Sequence, residues 1–330
     1  MSAAVPALIL LFAVIFVNGW TDAPSAIASC VATRTLPVGH AVAMAAAANL
    51  AGGLSTLWFG GAVASTVFAV ADFGGEPLAA LRALSAAMGA VVVWAVAAWR
   101  FGLPTSESHA LIAALTGAAV ALHGSLSGIR AAEWGRVLLG LAASTLPALV
   151  AALAVSALIG RICTKRDRRS SMRFFRAAQI GGAAAAAFSH GAQDGQKFMA
   201  VLMLILALAR GNQPTALGVV PVRVCLICAA VMAAGTLLGG GRIIRTVGMK
   251  MVTLDPAGGF AADLAAAVCV LGCTAAGLPV STTHAKTCAM MGAGRRADRS
   301  VVRELALAWG LTFPVCGGLG WLFAAVTMIG

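Results

Sequence analysis

Asp22 and Asp194 are carboxylates set inside long apolar stretches. Asp22 lies in Asn18-Gly19-Trp20-Thr21-Asp22-Ala23-Pro24-Ser25, and Asp194 in Ser189-His190-Gly191-Ala192-Gln193-Asp194-Gly195-Gln196-Lys197. A carboxylate at that depth in an apolar span is costly and marks a functional site by default. Both segments are expected to interrupt a helix. Beside the carbonyls so freed, Thr21, Asp22, Ser25, Gln193 and Asp194 form a hard oxygen set suited to Na+, or a site that accepts a proton. Asp194 and Lys197 also have the i,i+3 spacing of a helical ion pair.

Two further segments have anion-binding chemistry. Pro104-Thr105-Ser106-Glu107-Ser108-His109 and Pro279-Val280-Ser281-Thr282-Thr283-His284 each read as the start of a new helix. Pro suits the first helical position, and Ser or Thr suits the cap. A helix N-terminus offers free N–H groups and the positive end of a dipole. Two such ends meeting from opposite sides, with Thr105, Ser106, Ser108, Ser281, Thr282 and Thr283 as hydroxyl donors, make a cage for a tetrahedral oxyanion. His109 and His284 close the two tips, and His190 opens the second acidic segment. Their matched positions point to packing or hydrogen bonding that fixes the tips, with proton relay as the sharper alternative. Their spacing supplies no compact cluster for a metal.

The elements that carry these residues are membrane helices. The chain is 60% hydrophobic and 10% charged, against about 25% charged in ordinary soluble domains. Residues 137–160, 215–240 and 305–329 approach or exceed the roughly 20 residues that span a hydrocarbon layer. A barrel requires alternation, and Ala43–Ala48 and Ala183–Ala187 show none. Met1–Phe16 reads as part of a retained span, because the first 20 residues contain no Lys or Arg. Cys225-x-x-Cys228 lies inside an apolar span and reads as helix packing. No Walker A motif, nucleophile–base arrangement or soluble domain is present. That leaves transport driven by an ion gradient rather than an enzyme or an ATP-driven pump, with no cofactor. A channel would not need two matched discontinuous helices with buried acids.

The chain is a duplication. Gly102–His109 and Gly277–His284 share five of eight residues at an offset of 175. Gly19…Asp22 recurs as Gly191…Asp194 at an offset of 172, and Thr145-Leu146-Pro147 as Thr312-Phe313-Pro314 at an offset of 167. Residues 1–160 form the first repeat, 161–176 a basic linker and 177–330 the second repeat. The expected elements are a broken span at 5–34, a span at 40–60, a helix–break–helix at 79–122 and a span at 137–160. The second half repeats them at 177–209, 215–240, 260–294 and 304–329. If each helix–break–helix returns to the side it came from, each half crosses an odd number of times and the second half is inverted. The formal charge of +12 fits that topology rather than nucleic-acid binding, since no aromatic residues interleave the basic ones. Arg34, the linker, Arg242, Arg245, Lys250, Arg295, Arg296, Arg299 and Arg303 fall on one side and hold 15 of the 23 basic residues. Positive-inside makes that side cytoplasmic and puts both termini outside. Arg82, Arg100, Arg130, Arg136, Arg210 and Arg223 are assigned to the outer side. The fold expected is an all-α polytopic membrane protein of two inverted-topology repeats, with broken helices and two helical hairpins.

These motifs resemble those of the inorganic phosphate transporter family, over nearly the whole chain. Gly19-Trp20-Thr21-Asp22-Ala23-Pro24-Ser25-Ala26 is similar to the family's first Gly-x-Asn-Asp-x-x-Asn-Ala motif. His190-Gly191-Ala192-Gln193-Asp194-Gly195-Gln196-Lys197 is similar to its second, His-Gly-x-Asn-Asp-x-Gln-Lys, in the bacterial style. Arg242–Gly248, Leu254-Asp255-Pro256 and Gly259-Phe260 are also family-like. The resemblance implies symport of inorganic phosphate with Na+ or H+ across the bacterial inner (plasma) membrane. It implies tips that hold the anion, with Gln196 and Lys197 alongside, acidic segments that bind the coupling cation, and a homodimer in the lipid bilayer. Thr21, Ser25 and Gln193 replace the usual Asn residues. Glu107 and Lys286 are unusual at the tips and are expected to neutralise each other. Sulfate on the same scaffold and a neutral metal–phosphate complex are the alternative substrates. A protonated phosphate donates a hydrogen bond and sulfate does not, so an acceptor such as Glu107 or Asp22 facing the anion favours phosphate.

Overall fold

A computed structural model describes residues 4–163, 167–213, 216–294 and 296–329. Lys165, Arg166 and Arg295 of the basic set, and position 215 where a span is expected to begin, lie outside the described residues. The described residues are helical almost throughout. The first half comprises α1 (Val5–Thr21), α2 (Pro24–Ala32), α3 (Val38–Leu54), α4 (Thr56–Phe59), α5 (Ala62–Ala69), α6 (Pro77–Phe101), α7 (Glu107–His123) and α8 (Ala131–Cys163). The second comprises α9 (Arg168–Leu208), α10 (Val222–Leu237), α11 (Gly241–Ile243), which runs into a π-helical stretch Ile244–Lys250, α12 (Pro256–Ala275), α13 (Thr282–Ala293) and α14 (Arg299–Ile329). Val5–Ala32, Val38–Phe59, Pro77–Phe101, Ala131–Cys163, Pro256–Ala275 and Arg299–Met328 are long and apolar enough to cross a bilayer. Helix α10 and the segment Gly241–Lys250 join them as a pair bent by 61°.

Local chemistry sets the helix boundaries. Pro24, Pro77 and Pro256 open α2, α6 and α12, where a missing N–H costs nothing. Glu76 accepts from the Leu78 and Ala79 N–H groups, and Asp255 from Gly258 N–H, which caps α6 and α12. Pro147 and Pro314 lie inside α8 and α14. Two residues before each, Thr145 and Thr312 donate to the carbonyls of Leu141 and Ala308. The repeated Thr-x-Pro is therefore a repeated local geometry.

The halves interlock. α1 packs on α10 while α9 packs on α3, and α7 packs on α14 while α13 packs on α8. Glycine permits the first pair of crossings. A Cβ on Gly19 would stand 2.0 Å from the Met232 carbonyl oxygen, and one on Gly191 would stand 2.1 Å from that of Asn49. Both hairpins are closed at their base by an isolated antiparallel bridge. Ala71 pairs with Ile129 around α6–α7, and Val252 with Ala297 around α12–α13. Each hairpin therefore starts and ends at the same place.

Of the two helix interruptions expected at the acidic segments, one is corrected and one is found. The segment around Asp194 does not interrupt its helix, because α9 runs unbroken from Arg168 to Leu208. It contains no Pro, and its glycine at 191 serves the close approach of α3. The segment around Asp22 does interrupt its helix, between α1 and α2, with only a short turn. Pro24 lacks an N–H, and the turn is bridged by bonds from the Asp22 and Ala23 N–H groups to the Asn18 carbonyl.

Candidate functional site

Both hairpin tips are built in the same way. Gly102 and Gly277 adopt φ of +70° and +68°, in the left-handed region where glycine alone is unstrained. Leu103 and Leu278 N–H groups reach back to the carbonyls of Ala98 and Cys273, and those of Gly102 and Gly277 to Trp99 and Thr274. This pair of bonds is the Schellman ending of α6 and α12. An extended link then leads to Ser106 and Ser281, whose hydroxyls each accept from the N–H three residues on, His109 and His284, at 3.2 Å. Ser106 and Ser281 are thus the caps of α7 and α13. Pro104 and Pro279 precede the caps by two residues in the extended link and are not first helical residues as expected. Each tip's glycine carbonyl is received by a threonine of the other half. Thr246 donates to Gly102 and Thr66 to Gly277, both at 2.8 Å.

The two helix starts meet. The rings of His109 and His284 lie edge to face with centroids 4.8 Å apart. Phe313 stacks on His109 at 4.7 Å and Trp309 on His284 at 3.8 Å, and Trp309 Nε1 donates to the Pro104 carbonyl. Both histidines thus pack the tips together. Neither imidazole has a hydrogen-bond partner among the described residues.

Helix α9 supplies the centre. Lys197 Nζ donates to Asp194 Oδ1 and Val280 O, both at 2.6 Å, and to Ser108 Oγ. One ammonium therefore touches both tips and the acid one helical turn before it. Ser108 also reaches Asp194 Oδ1 at 3.3 Å. One turn from Lys197, Gln193 donates to the Leu278 carbonyl at 3.0 Å and accepts from Thr274. Gln196 accepts from Val63 N–H at 3.0 Å and so anchors α5. Asp194 Oδ2 receives Asn18 Nδ2 at 3.3 Å and lies 3.4 Å from His190 Nε2. Nδ1 of His190 is 3.0 Å from Asn49 Oδ1.

Asp22, across from these, is 3% exposed, and neither of its oxygens has a partner among the described residues. The same holds for Asn18 Oδ1 and Glu107 Oε2. Thr21 donates to the other Glu107 oxygen, Oε1. Ser25 and Thr283 share a hydroxyl contact at 3.2 Å, which ties α2 to α13. Thr105 and Thr282 are buried at the tips. Atoms of Asp22, His190 and Asp194 lie within 4.8 Å of one another. The expectation that the histidines join no compact ligand cluster therefore fails at His190. Helices α1 and α9, far apart in the chain, meet here through Asn18 and Asp194.

The expected pairing of Glu107 with Lys286 is not made. Lys286 Nζ pairs with Asp263 Oδ1 and donates to the Ala26 carbonyl at 2.9 Å and Ser29 Oγ at 3.2 Å. Ser29 donates to the same Asp263 oxygen. Asp263 was legible in the sequence as a carboxylate alone in the apolar run Gly258–Leu271, but it has no repeat mate. Asn18 was a polar residue at the same depth as Asp22. Arg100 is also reassigned: its carbonyl accepts from Arg242 Nη1 at 3.1 Å, so it lies with the Arg242 group and not on the opposite side.

Comparison with known proteins is consistent with this arrangement. The profile of the phosphate transporter family matches residues 18–320. A probable low-affinity inorganic phosphate transporter of Bacillus subtilis (strain 168) is 30% identical over 310 residues, covering 92% of this chain and 91% of the relative. Its counterpart in Mycobacterium tuberculosis (strain ATCC 25618 / H37Rv) is 35% identical over 330 residues, covering 96% and 75%. That of Rhizobium meliloti (strain 1021) is 33% identical over 324 residues, covering 94% and 93%. A solved structure titled "The sodium-dependent phosphate transporter" superposes over the whole of both chains with a TM-score of 0.90 at 20% identity, a likeness of fold.

Proposed function

This chain belongs to the phosphate transporter family, and we propose that it carries inorganic phosphate across the bacterial plasma membrane by symport with Na+ or H+. The observation that carries the reading is the meeting of two capped helix starts, α7 and α13, at one buried ammonium, Lys197. The first N–H groups of each helix have no partner within it. Together with the hydroxyls of Thr105, Ser108, Thr282 and Thr283 and the Lys197 charge, they offer a tetrahedral anion donors on several sides. Phosphate is favoured over sulfate by the unpartnered acceptors close by. Among the described residues Glu107 Oε2 and both Asp22 oxygens have no donor, and a protonated phosphate supplies one where sulfate does not.

The same acceptors support cation coupling. Buried carboxylate oxygens without donors are unfavourable, and a Na+ or a proton at Asp22, with Asn18 and Asp194 adjoining, relieves that. Anion and cation sites that share one buried cluster each favour the other's occupancy, as symport requires. The presence of His190 in that cluster favours a second reading, in which a divalent metal enters bound to phosphate.

The two halves, 1–160 and 177–330, act as inverted repeats that rock against each other. The reciprocal crossings and the bridged hairpin bases support this, since a hairpin that returns to its origin leaves an odd number of crossings per half. Both termini then lie outside. The outward apolar face of α8, exposing Leu138, Leu139, Leu146, Val150 and Leu153, suits lipid or the second copy of a homodimer.

The test is uptake of labelled phosphate and sulfate into proteoliposomes, with Na+ and pH gradients imposed separately and divalent metals removed or restored. Saturable phosphate uptake driven by one gradient is expected. Saturable sulfate uptake that excess phosphate leaves unchanged would sink the proposal, and phosphate uptake lost on metal removal would favour the second reading.

A further inference from the structure

Where the first hairpin's tip meets the other half, a cavity of about 370 Å³ is lined by Arg100, Arg242, Arg245 and Lys250, with Phe101 and Thr246. Among the described residues no carboxylate lies within ion-pair distance of any of these four cations. Their convergence is built rather than incidental. Arg242 is held, with its guanidinium 4.3 Å from the Trp99 ring centre and one nitrogen on the Arg100 carbonyl. The π-helical stretch Ile244–Lys250 closes with a bond from Met251 N–H to the Thr246 carbonyl. Arg245 and Lys250 both lie in this stretch, and both line the cavity. Thr246, in the same stretch, holds the tip through the Gly102 carbonyl.

The fold itself does not require this charge. The other tip is received by α5 through Thr66 and Gly277, and there Arg136, which reaches Thr66 at 3.5 Å, is paired with Glu133. The general excess of basic residues on one side of a membrane accounts for cations there, but not for the convergence of four on one cavity with one of them held on Trp99. Four unpaired cations around one cavity repel each other and call for an anion. Phe101, 76% exposed beside them, adds an apolar edge at the same place.

We propose that this cavity is a second anion site, distinct from the tip cluster, and that it binds a phosphate group. The group comes either from an anionic phospholipid, with Phe101 against its acyl region, or from free inorganic phosphate beside the tip. Bound there, the anion would clamp the π-helical stretch to the first hairpin and bias the tip's movement. The site stands on its own cations, whatever the transported substrate.

The test uses the purified full chain, the double variant Arg245→Gln/Lys250→Gln, and a control double variant of equal charge change, Arg299→Gln/Arg303→Gln. Arg242 is left intact because it also packs on Trp99. Binding of phosphatidylglycerol against phosphatidylcholine is titrated by native mass spectrometry, and binding of inorganic phosphate by equilibrium isotherm. In the lipid case, phosphatidylglycerol binding weakens in the first variant by roughly 25-fold, at about fivefold for each cation near the surface, and not in the control. In the free-phosphate case, the isotherm loses one saturable component in the first variant only. The proposal is overturned if neither titration changes, or if the control variant changes as much as the first.

Discussion

Lys286→Met removes one charge of a buried pair while keeping nearly the same shape. In the native structure Lys286 contacts Asp263, the Ala26 carbonyl and Ser29, and the two charged side chains are 3% and 0% exposed. After substitution Asp263 keeps, among the described residues, the Ser29 hydroxyl alone. Removing one partner of a buried ion pair costs about 3–5 kcal/mol, whereas a neutral interhelical hydrogen bond in a bilayer averages about 0.6 kcal/mol. The size of the loss therefore says which kind of contact this is. The assay is reversible denaturant unfolding of the purified protein in mixed micelles, run as a double-mutant cycle with Asp263→Asn. A coupling of about 2 kcal/mol or more is expected, with the double variant more stable than Lys286→Met alone because the stranded charge is gone. A second cycle pairs Lys286→Met with Glu107→Gln and should be additive to within about 0.5 kcal/mol. Strong coupling in the second cycle with additivity in the first would refute the assignment of Asp263 as the partner.

Three further outcomes follow from the same geometry. Gly191→Val drives a side chain into the Asn49 backbone and should abolish accumulation of folded protein. Gly181→Ala, at an exposed helical position with open space, should be tolerated or add up to about 1 kcal/mol; detergent-resistant fluorescence size-exclusion profiles separate the two. Ser281→Ala removes the cap bond to His284 N–H and should cost about 1 kcal/mol of stability, with Ser281→Thr restoring the unfolding midpoint. Lys197→Met should abolish phosphate uptake and strand Asp194; adding Asp194→Asn should restore folding, read from the unfolding midpoint, without restoring uptake.

What the chain disclosed in advance was backbone geometry that only certain residues can adopt. Gly102 and Gly277 are required by a left-handed turn, Ser106 and Ser281 by a cap, and Gly19 and Gly191 by a helix crossing that leaves no room for Cβ. Each constraint acts on one residue locally, so duplication preserved it as a visible repeat. The helix break expected at Asp194 failed for the converse reason. Glycine is compatible both with a break and with close packing, and only the neighbour, α3, decides which. The Lys286 partner was missed because a pair is a property of two distant positions. Asp263 and Lys286 meet only once α12 and α13 fold back on each other, and no spacing rule along the chain encodes that.

The division between what repeats and what does not has a mechanical meaning. The repeated features, two Schellman endings, two caps, two threonine-held tips and two glycine crossings, give the two halves matching backbone positions. The charged side chains do not match. Lys197 on α9 holds both tips, yet α1 places no cation opposite it, and there Glu107 of the first tip faces Thr21 instead. Asp263 and Lys286 brace only the second hairpin, and the Arg242 group surrounds only the first. If transport exchanges the conformations of the halves, a symmetric set of contacts would make the two end states equal in energy. Asymmetric charges make them unequal. Removing Lys286 and Asp263 together should then shift the resting population between inward-facing and outward-facing forms without changing the anion's ligands. Cysteines placed singly at the two mouths of a cysteine-free background would report that shift as a change in labelling ratio, with the phosphate KM measured under saturating cation held constant. An unchanged ratio, in a double variant that folds and transports, would mean that the asymmetric charges brace the hairpin without biasing the cycle.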